Sequence, residues 1–200
     1  MRFHRNIIYV HANNLLLENK NNNKKYIKNL DISEKQTIFA ASKNQTNQNM
    51  QLDFKEIDEL TGSKARVYSV VLDDEEETLL EQFFNENADN EDDLNKVIYK
   101  IKTMANYTGC RRSFFKEGEG AWADGMVALK STGTLRLYGM YFNETVILFG
   151  SGGNKPPGIR AYQDYPPLNA KAQQMREIVK EINKRISNGE LKINDDGTLT

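Results

Sequence analysis

The sequence predicts an α+β domain, in which a small antiparallel sheet packs against a helical hairpin and a C-terminal helix. Residues 66–72, RVYSVVL, have the β-branched and aromatic content of a strand. Residues 135–155, LRLYGMYFNETVILFGSGGNK, predict two strands joined by a tight polar turn at Asn143 and Glu144. Between these segments, apolar residues recur at helical spacing. The order is therefore an N-terminal strand, two helices, a three-strand meander and a final helix.

The N-terminal part of the chain predicts an extension and not a folded unit. Residues 1–49 contain eleven Asn and show no sustained apolar period. Such a composition buries too little apolar surface to offset the entropy of ordering the chain. We expect residues 1–61 to be a poorly ordered Asn/Lys-rich extension, with Met50 as an alternative translation start. Order should begin near Gly62, so that the folded domain spans 62–193 and a tail spans 194–200.

Two helices are predicted after the first strand. Asp73 and Asp74 should cap the first one, because acidic residues favour the positive end of a helix dipole. Asp92 or Asp93 should cap the second, and Gly109 should end it. The apolar residues of the two helices are Leu79, Leu80, Phe83 and Phe84 in the first, and Leu94, Val97, Ile98, Ile101 and Met104 in the second.

The C-terminal half predicts the meander and the last helix. A short strand is possible within 113–116, followed by a Gly-rich loop at 118–120 and strands at 126–130, 135–142 and 145–149. The GSGG sequence at 150–153 favours a flexible strand exit over a phosphate-binding loop, because Pro156 and Pro157 follow instead of a helix. Apolar residues from 168 to 186 predict an amphipathic helix that ends at Gly189, and 191–193 predict a strand-like tail.

Composition narrows the classes of function. Cys110 is the single cysteine, and the two histidines, His4 and His11, lie in the predicted extension. The sequence therefore predicts no disulfide, no histidine-based catalytic triad, no metal site and no cofactor. No apolar run reaches membrane-spanning length and no secretory signal is evident, so we expect a cytoplasmic protein without membrane association. The acidic groups at 73–77 and 91–93 are explained by helix N-termini.

Charge is distributed unevenly although the net charge is −1. Residues 50–98 carry four Lys or Arg against fifteen Asp or Glu, whereas residues 99–160 carry nine against four. The later segment can therefore form a face that attracts polyanions. Within it, Arg136 and Tyr138 lie on one face of an apolar strand, because strand side chains alternate. The basic and phenolic candidates are Arg111, Arg112, Lys116, Lys130, Arg136, Tyr138, Lys155, Arg160, Tyr162 and Tyr165.

These residue types suit metal-free cleavage of RNA. Lys and Arg bind phosphate and stabilise the charge of a pentacoordinate phosphorane, and Tyr stacks on unpaired bases or transfers protons. The alternative is structural: Arg136 and Tyr138 cover the end of the core, and Lys155 and Arg160 keep a loop soluble. The residues alone leave both interpretations open.

In the order of these elements from Arg66 to Tyr165, the chain resembles the RelE/ParE superfamily of toxins from bacterial type II toxin–antitoxin systems. The strand RVYSVVL, the helical hairpin, the strand LRLYGMYF and the following ETVILFGSGGNK carry the resemblance. The RelE-like branch implies a ribosome-dependent mRNA endonuclease. By position, Arg136 would contact the scissile phosphate, and Lys155 or Arg160 would stabilise charge or protonate the leaving 5′ oxygen. Tyr162 or Tyr165 would stack on a base or act as general base.

The same resemblance implies further roles and an alternative. Lys130 would take the place of the family's lysines at the end of the second strand, and Arg111, Arg112, Lys116 and Tyr138 would help to bind RNA. The ParE-like branch implies an inhibitor of DNA gyrase that needs no nuclease residues, and a third possibility is an inactive partner-binding domain. Either branch implies a cognate antitoxin protein as partner, in addition to the ribosome and mRNA or gyrase.

Overall fold

The computed structural model describes residues 50–73, 75–116, 125–130 and 133–200. The expected extension over 1–49, Asp74, the loop at 118–120 and most of the turn at 131–133 lie outside the described residues. Within the described ranges, no helix combines the length and the apolar character needed to cross a membrane.

A six-stranded mixed sheet forms the centre of the described part. The strands are β1 (Leu52–Glu56), β2 (Arg66–Leu72), β3 (Phe115–Lys116), β4 (Met126–Leu129), β5 (Leu135–Asn143) and β6 (Val146–Asn154), in the order β1-β2-β6-β5-β4-β3. The α+β class and the antiparallel meander β4-β5-β6 are confirmed. The expectation of an entirely antiparallel sheet was wrong, because β2 pairs with β6 in parallel, with Val67 beside Ile147.

The first strand lies in a segment that the sequence assigned to the extension. β1 pairs antiparallel with β2, with Leu52 beside Leu72. Arg185 near the end of the last helix donates from Nη1 to the carbonyl oxygen of Leu52 at 2.9 Å and from Nη2 to that of Met50 at 3.0 Å. The sheet therefore starts at Leu52 and not near Gly62.

Three α-helices accompany the sheet in the described part: α1 (Leu79–Glu86), α2 (Glu91–Thr103) and α3 (Pro166–Asn188). A capping box starts α1, because the amide of Glu81 donates to Thr78 Oγ1 at 3.2 Å and the amide of Thr78 donates to Glu81 Oε2 at 2.7 Å. Neither Asp73 nor Asp74 is therefore its cap. Helix α2 follows Asn90, not Asp92 or Asp93, and continues as a π-helical turn, Met104–Thr108.

The helices cover both faces of the sheet. Helix α3 packs on the face that carries Tyr138 and Met140, whereas α1 and α2 pack on the face that carries Leu135 and Leu137. The predicted alternation along β5 is thus confirmed, and it separates two apolar cores. Helix α3 ends at Gly189, whose φ of 74° is left-handed, as expected. The strand-like tail is present as a bridge between Ile193 and Leu199.

The glycines at 150–153 belong to β6 and not to a flexible exit. A Cβ on Gly150 would lie 2.8 Å from the sulfur of Met175 in α3. A Cβ on Gly152 would lie 2.4 Å from the carbonyl oxygen of Arg136 and 2.8 Å from the ring of Phe83 in α1. The missing side chains let one helix approach the strand from each face, so the GSGG sequence serves packing.

Replacing Gly152 with alanine should destabilise the fold, because the new methyl group meets backbone that has little room to move. We expect Gly152→Ala to lower the free energy of unfolding in urea by about 1–3 kcal/mol. Gly153→Ala is the matched control, since its Cβ would meet only Leu168 Cδ1 at an ordinary 3.7 Å. Equal stability of the two variants would contradict the packing role of Gly152.

Candidate nucleic-acid interface

One end of the sheet collects three of the predicted cations. Strands β4 and β6 both run antiparallel to β5, so both end where β5 begins. Lys130 follows the last residue of β4, and Lys155 follows the last residue of β6. The amide of Lys155 donates to the carbonyl oxygen of Thr134 at 2.8 Å, next to the start of β5. Adjacent strands are about 5 Å apart, so the ends of β4 and β6 lie about 10 Å apart.

The loop after β6 brings a further cation. Arg160 is exposed, and the structure gives it no hydrogen bond or ion pair with any described residue. The ammonium group of Lys155 donates to the carbonyl oxygen of Ile159, which bends the loop back towards the strand end. We call the surface formed by Lys130, Lys155 and Arg160 the basic end.

Arg136, the predicted phosphate ligand, lies within the fold. Arg136 is only 8% exposed. Nη1 donates to the carbonyl oxygens of Gly133 and Leu135, each at 2.9 Å. The guanidinium therefore ties the entry of β5 to its own backbone, and it lies beside the basic end instead of pointing from it.

The tyrosines predicted to stack on bases are largely core residues. Tyr138 and Tyr162 are 0% and 5% exposed, and their rings meet edge to face with centroids 6.0 Å apart. Arg176 of α3 donates from Nη2 to the Tyr162 hydroxyl, and its guanidinium carbon lies 5.4 Å from the centre of that ring. Tyr165 is half-buried directly before α3. This cluster holds the start of α3 on the sheet.

The remaining predicted RNA contacts lie along the β3 side of the sheet. Arg111 and Arg112 are exposed and Lys116 is half-buried. Arg111 Nε donates to the carbonyl oxygen of Thr108 at 3.2 Å. Arg112 lies against Tyr141, whose pKa is raised by burial and by the charge of Glu144, while Arg112 opposes that rise. These residues are separated from Lys155 by strands β4 and β5.

A buried carboxylate, which the sequence analysis treated as a helix cap, positions the turn before β5. Asp93 is 8% exposed, and its Oδ2 accepts from the amide of Thr134 at 2.6 Å and from the Thr134 hydroxyl at 3.2 Å. Lys96 Nζ lies 2.8 Å from Oδ1. The hydrogen bond from Lys96, followed by that from the Thr134 amide, lowers the pKa of Asp93. A Cβ on Gly133 would lie 1.9 Å from this carboxylate, so the turn needs glycine there.

This arrangement links helix α2 to the basic end. The Asp93 carboxylate holds the Thr134 amide, and the Thr134 carbonyl oxygen accepts a hydrogen bond from the Lys155 amide. The neighbouring carbonyl oxygen of Gly133 accepts one from Arg136 Nη1. The sequence signal was weak, because Asp93 sits in an acidic run of which only this member is buried. Within the described ranges, no three His, Cys, Asp or Glu residues come together as a group that could hold a metal ion.

Comparisons with known proteins identify no relative. A scan against protein-family models gives no match, and searches of the curated proteins and of the solved structures give no significant match. The likeness to RelE/ParE toxins therefore rests on the order of elements and the positions of residues, and it stays a prediction.

The stability of the fold should depend on the charge of Asp93. The pKa of Asp93 is lowered in the folded protein. Its ionised carboxylate therefore contributes fully to the free energy of unfolding above the pKa of the unfolded chain, near 3.9, and this contribution is lost as the pH falls through the pKa of the folded protein. We expect Asp93→Asn to cost about 1.5–3 kcal/mol at pH 7, and the difference from wild type to shrink below about pH 4 in urea titrations. The exposed Asp92→Asn is the control, and a pH-independent difference would contradict this role.

Arg136 should contribute to the stability of the fold. Arg136→Ala removes the donor to two carbonyl oxygens, and we expect a loss of about 1–3 kcal/mol in the free energy of unfolding. Arg160→Ala should change it by less than about 0.5 kcal/mol, because Arg160 is exposed. If Arg136→Ala is as stable as Arg160→Ala, the guanidinium has no structural role.

Proposed function

We propose that this chain is the toxin component of a type II toxin–antitoxin pair and that its basic end binds the phosphate backbone of RNA. The convergence of Lys130, Lys155 and Arg160 at one end of the sheet supports this proposal most directly. A strand, two helices, an antiparallel meander and a final helix also follow one another in the order that the resemblance to RelE/ParE toxins implies. Clustered Lys and Arg side chains at such an end attract polyanions, and this attraction weakens with salt.

A metal-independent cleavage step would use the substrate's own nucleophile. The 2′-OH loses its proton to solvent and attacks the adjacent phosphorus in line, the bond to the 5′ oxygen breaks as that oxygen gains a proton, and the products are a 2′,3′-cyclic phosphate and a free 5′-OH. Arg160 is the candidate that is free to approach the phosphorane, and Lys155 would add charge stabilisation or protonate the 5′ oxygen. Arg136 would then act by holding the entry of β5 rather than by touching phosphate.

A second candidate function is inhibition of DNA gyrase by binding alone. Arg136, Tyr138 and Tyr162 are buried, and their burial favours this candidate. Arg136 bonds to the backbone and the Tyr162 hydroxyl accepts from Arg176. The three buried residues belong to the set on which the nuclease prediction was built, and an inhibitor would need none of them for chemistry. The basic end would then contact a partner surface instead of a scissile phosphate.

Both candidates imply a cognate antitoxin and a site of action in the cytoplasm, where ribosomes and gyrase are found. We propose that the antitoxin covers the basic end with a helix or an extended segment. Acidic side chains in that segment would complement Lys130, Lys155 and Arg160.

Induced expression of the full chain should distinguish these functions. We expect growth arrest with new 5′ ends inside translated messages, and we expect both to disappear in the triple variant Lys130→Ala, Lys155→Ala and Arg160→Ala. The control variant, Lys180→Ala, Lys184→Ala and Lys192→Ala, removes the same charge from exposed positions away from the basic end and should remain toxic. Arg136→Ala is unsuitable for this purpose, because its instability would imitate a loss of function.

The other outcomes separate the candidates. Arrest without new 5′ ends would favour gyrase or another bound target over RNA cleavage. Arrest that survives the triple variant would show that the basic end does not carry the toxicity. The absence of any arrest by the wild-type chain would contradict the toxin proposal itself.

A further inference from the structure

Helix α2 and the π-helical turn that continues it each expose one large aromatic side chain. Tyr99 and Tyr107 are 76% and 78% exposed, unlike the other large apolar side chains of the described part. Aromatic residues this exposed contribute nothing to the core and favour contact with a partner that offers a flat apolar surface.

The π-helical turn brings the two rings to the same side. Four residues of α-helix from Tyr99 to Thr103 overshoot one turn by about 40°, whereas four residues of the wider π turn fall short of one. The two deviations nearly cancel, so ideal helix geometry places the Cα of Tyr107 above that of Tyr99, about 10–12 Å along the axis. The Thr103 hydroxyl donates to the carbonyl oxygen of Tyr99 at 2.8 Å, which supports the helix between them.

The surroundings of the two rings are polar and positive. Residues 94–116 contain six Lys or Arg and no Asp or Glu. Lys96, Lys102 and Asn106 are exposed beside the rings. We call this surface, formed by Tyr99, Tyr107, Lys96, Lys100 and Lys102, the tyrosine face. Among the described residues, the exposed neighbours named here are polar, which suits a charged ligand better than the apolar centre of a protein interface.

The tyrosine face is continuous with the basic end. The ammonium group of Lys100 donates to the carbonyl oxygen of Lys130, which is a member of that end. Burial and the charge of Lys130 both lower the pKa of Lys100, so the two lysines share one positive region. Lys100 therefore connects the basic end to the tyrosine face, so that a polyanion bound at one can reach the other.

We propose that the tyrosine face binds an unpaired RNA strand, with bases stacked on Tyr99 and Tyr107 and phosphates beside Lys100 and Lys102. Aromatic platforms with interleaved cations bind single strands without strict sequence preference, because every base has a flat face. A duplex is excluded from this mode, since its bases are already stacked on one another. The inference rests on the proposed function in that the ligand at the adjoining basic end is RNA.

Binding by the purified full-length chain tests this proposal. The probe is a fluorescently labelled 12-nucleotide oligouridine, and the readout is anisotropy at low and moderate salt. We expect Tyr99→Ala and Tyr107→Ala each to weaken binding about tenfold, with unchanged melting temperatures because both side chains are exposed. Tyr→Phe at either position should bind like wild type, whereas Tyr→Leu should bind like the alanine variant, since stacking needs the ring. Binding of a duplex RNA probe should be the same in wild type and in all of these variants.

Three results would overturn the tyrosine face. The first is wild-type affinity in the double variant Tyr99→Ala and Tyr107→Ala. The second is Tyr→Phe binding as weakly as Tyr→Ala, which would assign the effect to the hydroxyl group. The third is the absence of oligouridine binding by the wild-type chain.

The same assay separates this inference from the proposed function. If the double variant Lys155→Ala and Arg160→Ala weakens oligouridine binding while the tyrosine variants do not, RNA binding at the basic end is supported and RNA binding at the tyrosine face is contradicted. If the tyrosine variants weaken binding but the wild-type chain causes no growth arrest, RNA binding at the tyrosine face is supported and the toxin proposal is contradicted.

Discussion

The rest of the described fold depends on one constraint: α1 and α3 pack closely on β6 where the strand carries Gly150 and Gly152. This strand lies between β2 and β5 and carries α3 on one face and α1 on the other. Gly150 leaves room for Met175 of α3, and Gly152 leaves room for Phe83 of α1. A side chain at Gly152 would also collide with the backbone of β5. One short segment therefore sets the distances among the sheet and the helices on both of its faces.

The basic end follows from that constraint together with one buried carboxylate. Because β6 is held by both helices, Lys155 leaves the sheet at a fixed place. The Asp93 carboxylate accepts a hydrogen bond from the Thr134 amide, and the carbonyl oxygen of Thr134 accepts one from the Lys155 amide. Lys130 and Arg160 are exposed and Lys155 is half-buried at this end, while Asp93, which positions Thr134, is buried and hydrogen-bonded. Such a division is typical of binding surfaces on rigid scaffolds. Arg136 belongs to the buried groups, because its guanidinium bonds to the backbone at the entry of β5.

The two surfaces differ in how they could be found. The members of the basic end were candidates in the sequence, but their convergence was not predicted: the strand before Lys155 was expected to end at 149, whereas β6 continues to Asn154 and brings Lys155 to the end of the sheet where Lys130 lies. The members of the tyrosine face were not candidates, since Tyr99 and Tyr107 are eight positions apart and an uninterrupted α-helix would separate them by about 80°. The π-helical turn removes that offset. Nothing in residues 104–108 marks a π turn by pattern.

The sequence by itself determined the α+β class, the two consecutive helices, the meander, the end of α3 at Gly189 and the alternation along β5. These features depend on local spacing of apolar residues and on turn chemistry, which are read along the chain. Only the tertiary structure decided that β1 joins the sheet, that β2 pairs in parallel with β6, and that the glycines of β6 serve packing. It likewise decided that Arg136, Tyr138 and Tyr162 are buried while Arg160 is exposed. Each of these depends on contacts between residues distant in sequence, such as Arg185 with Leu52 or Phe83 with Gly152, and local pattern carries no information about them.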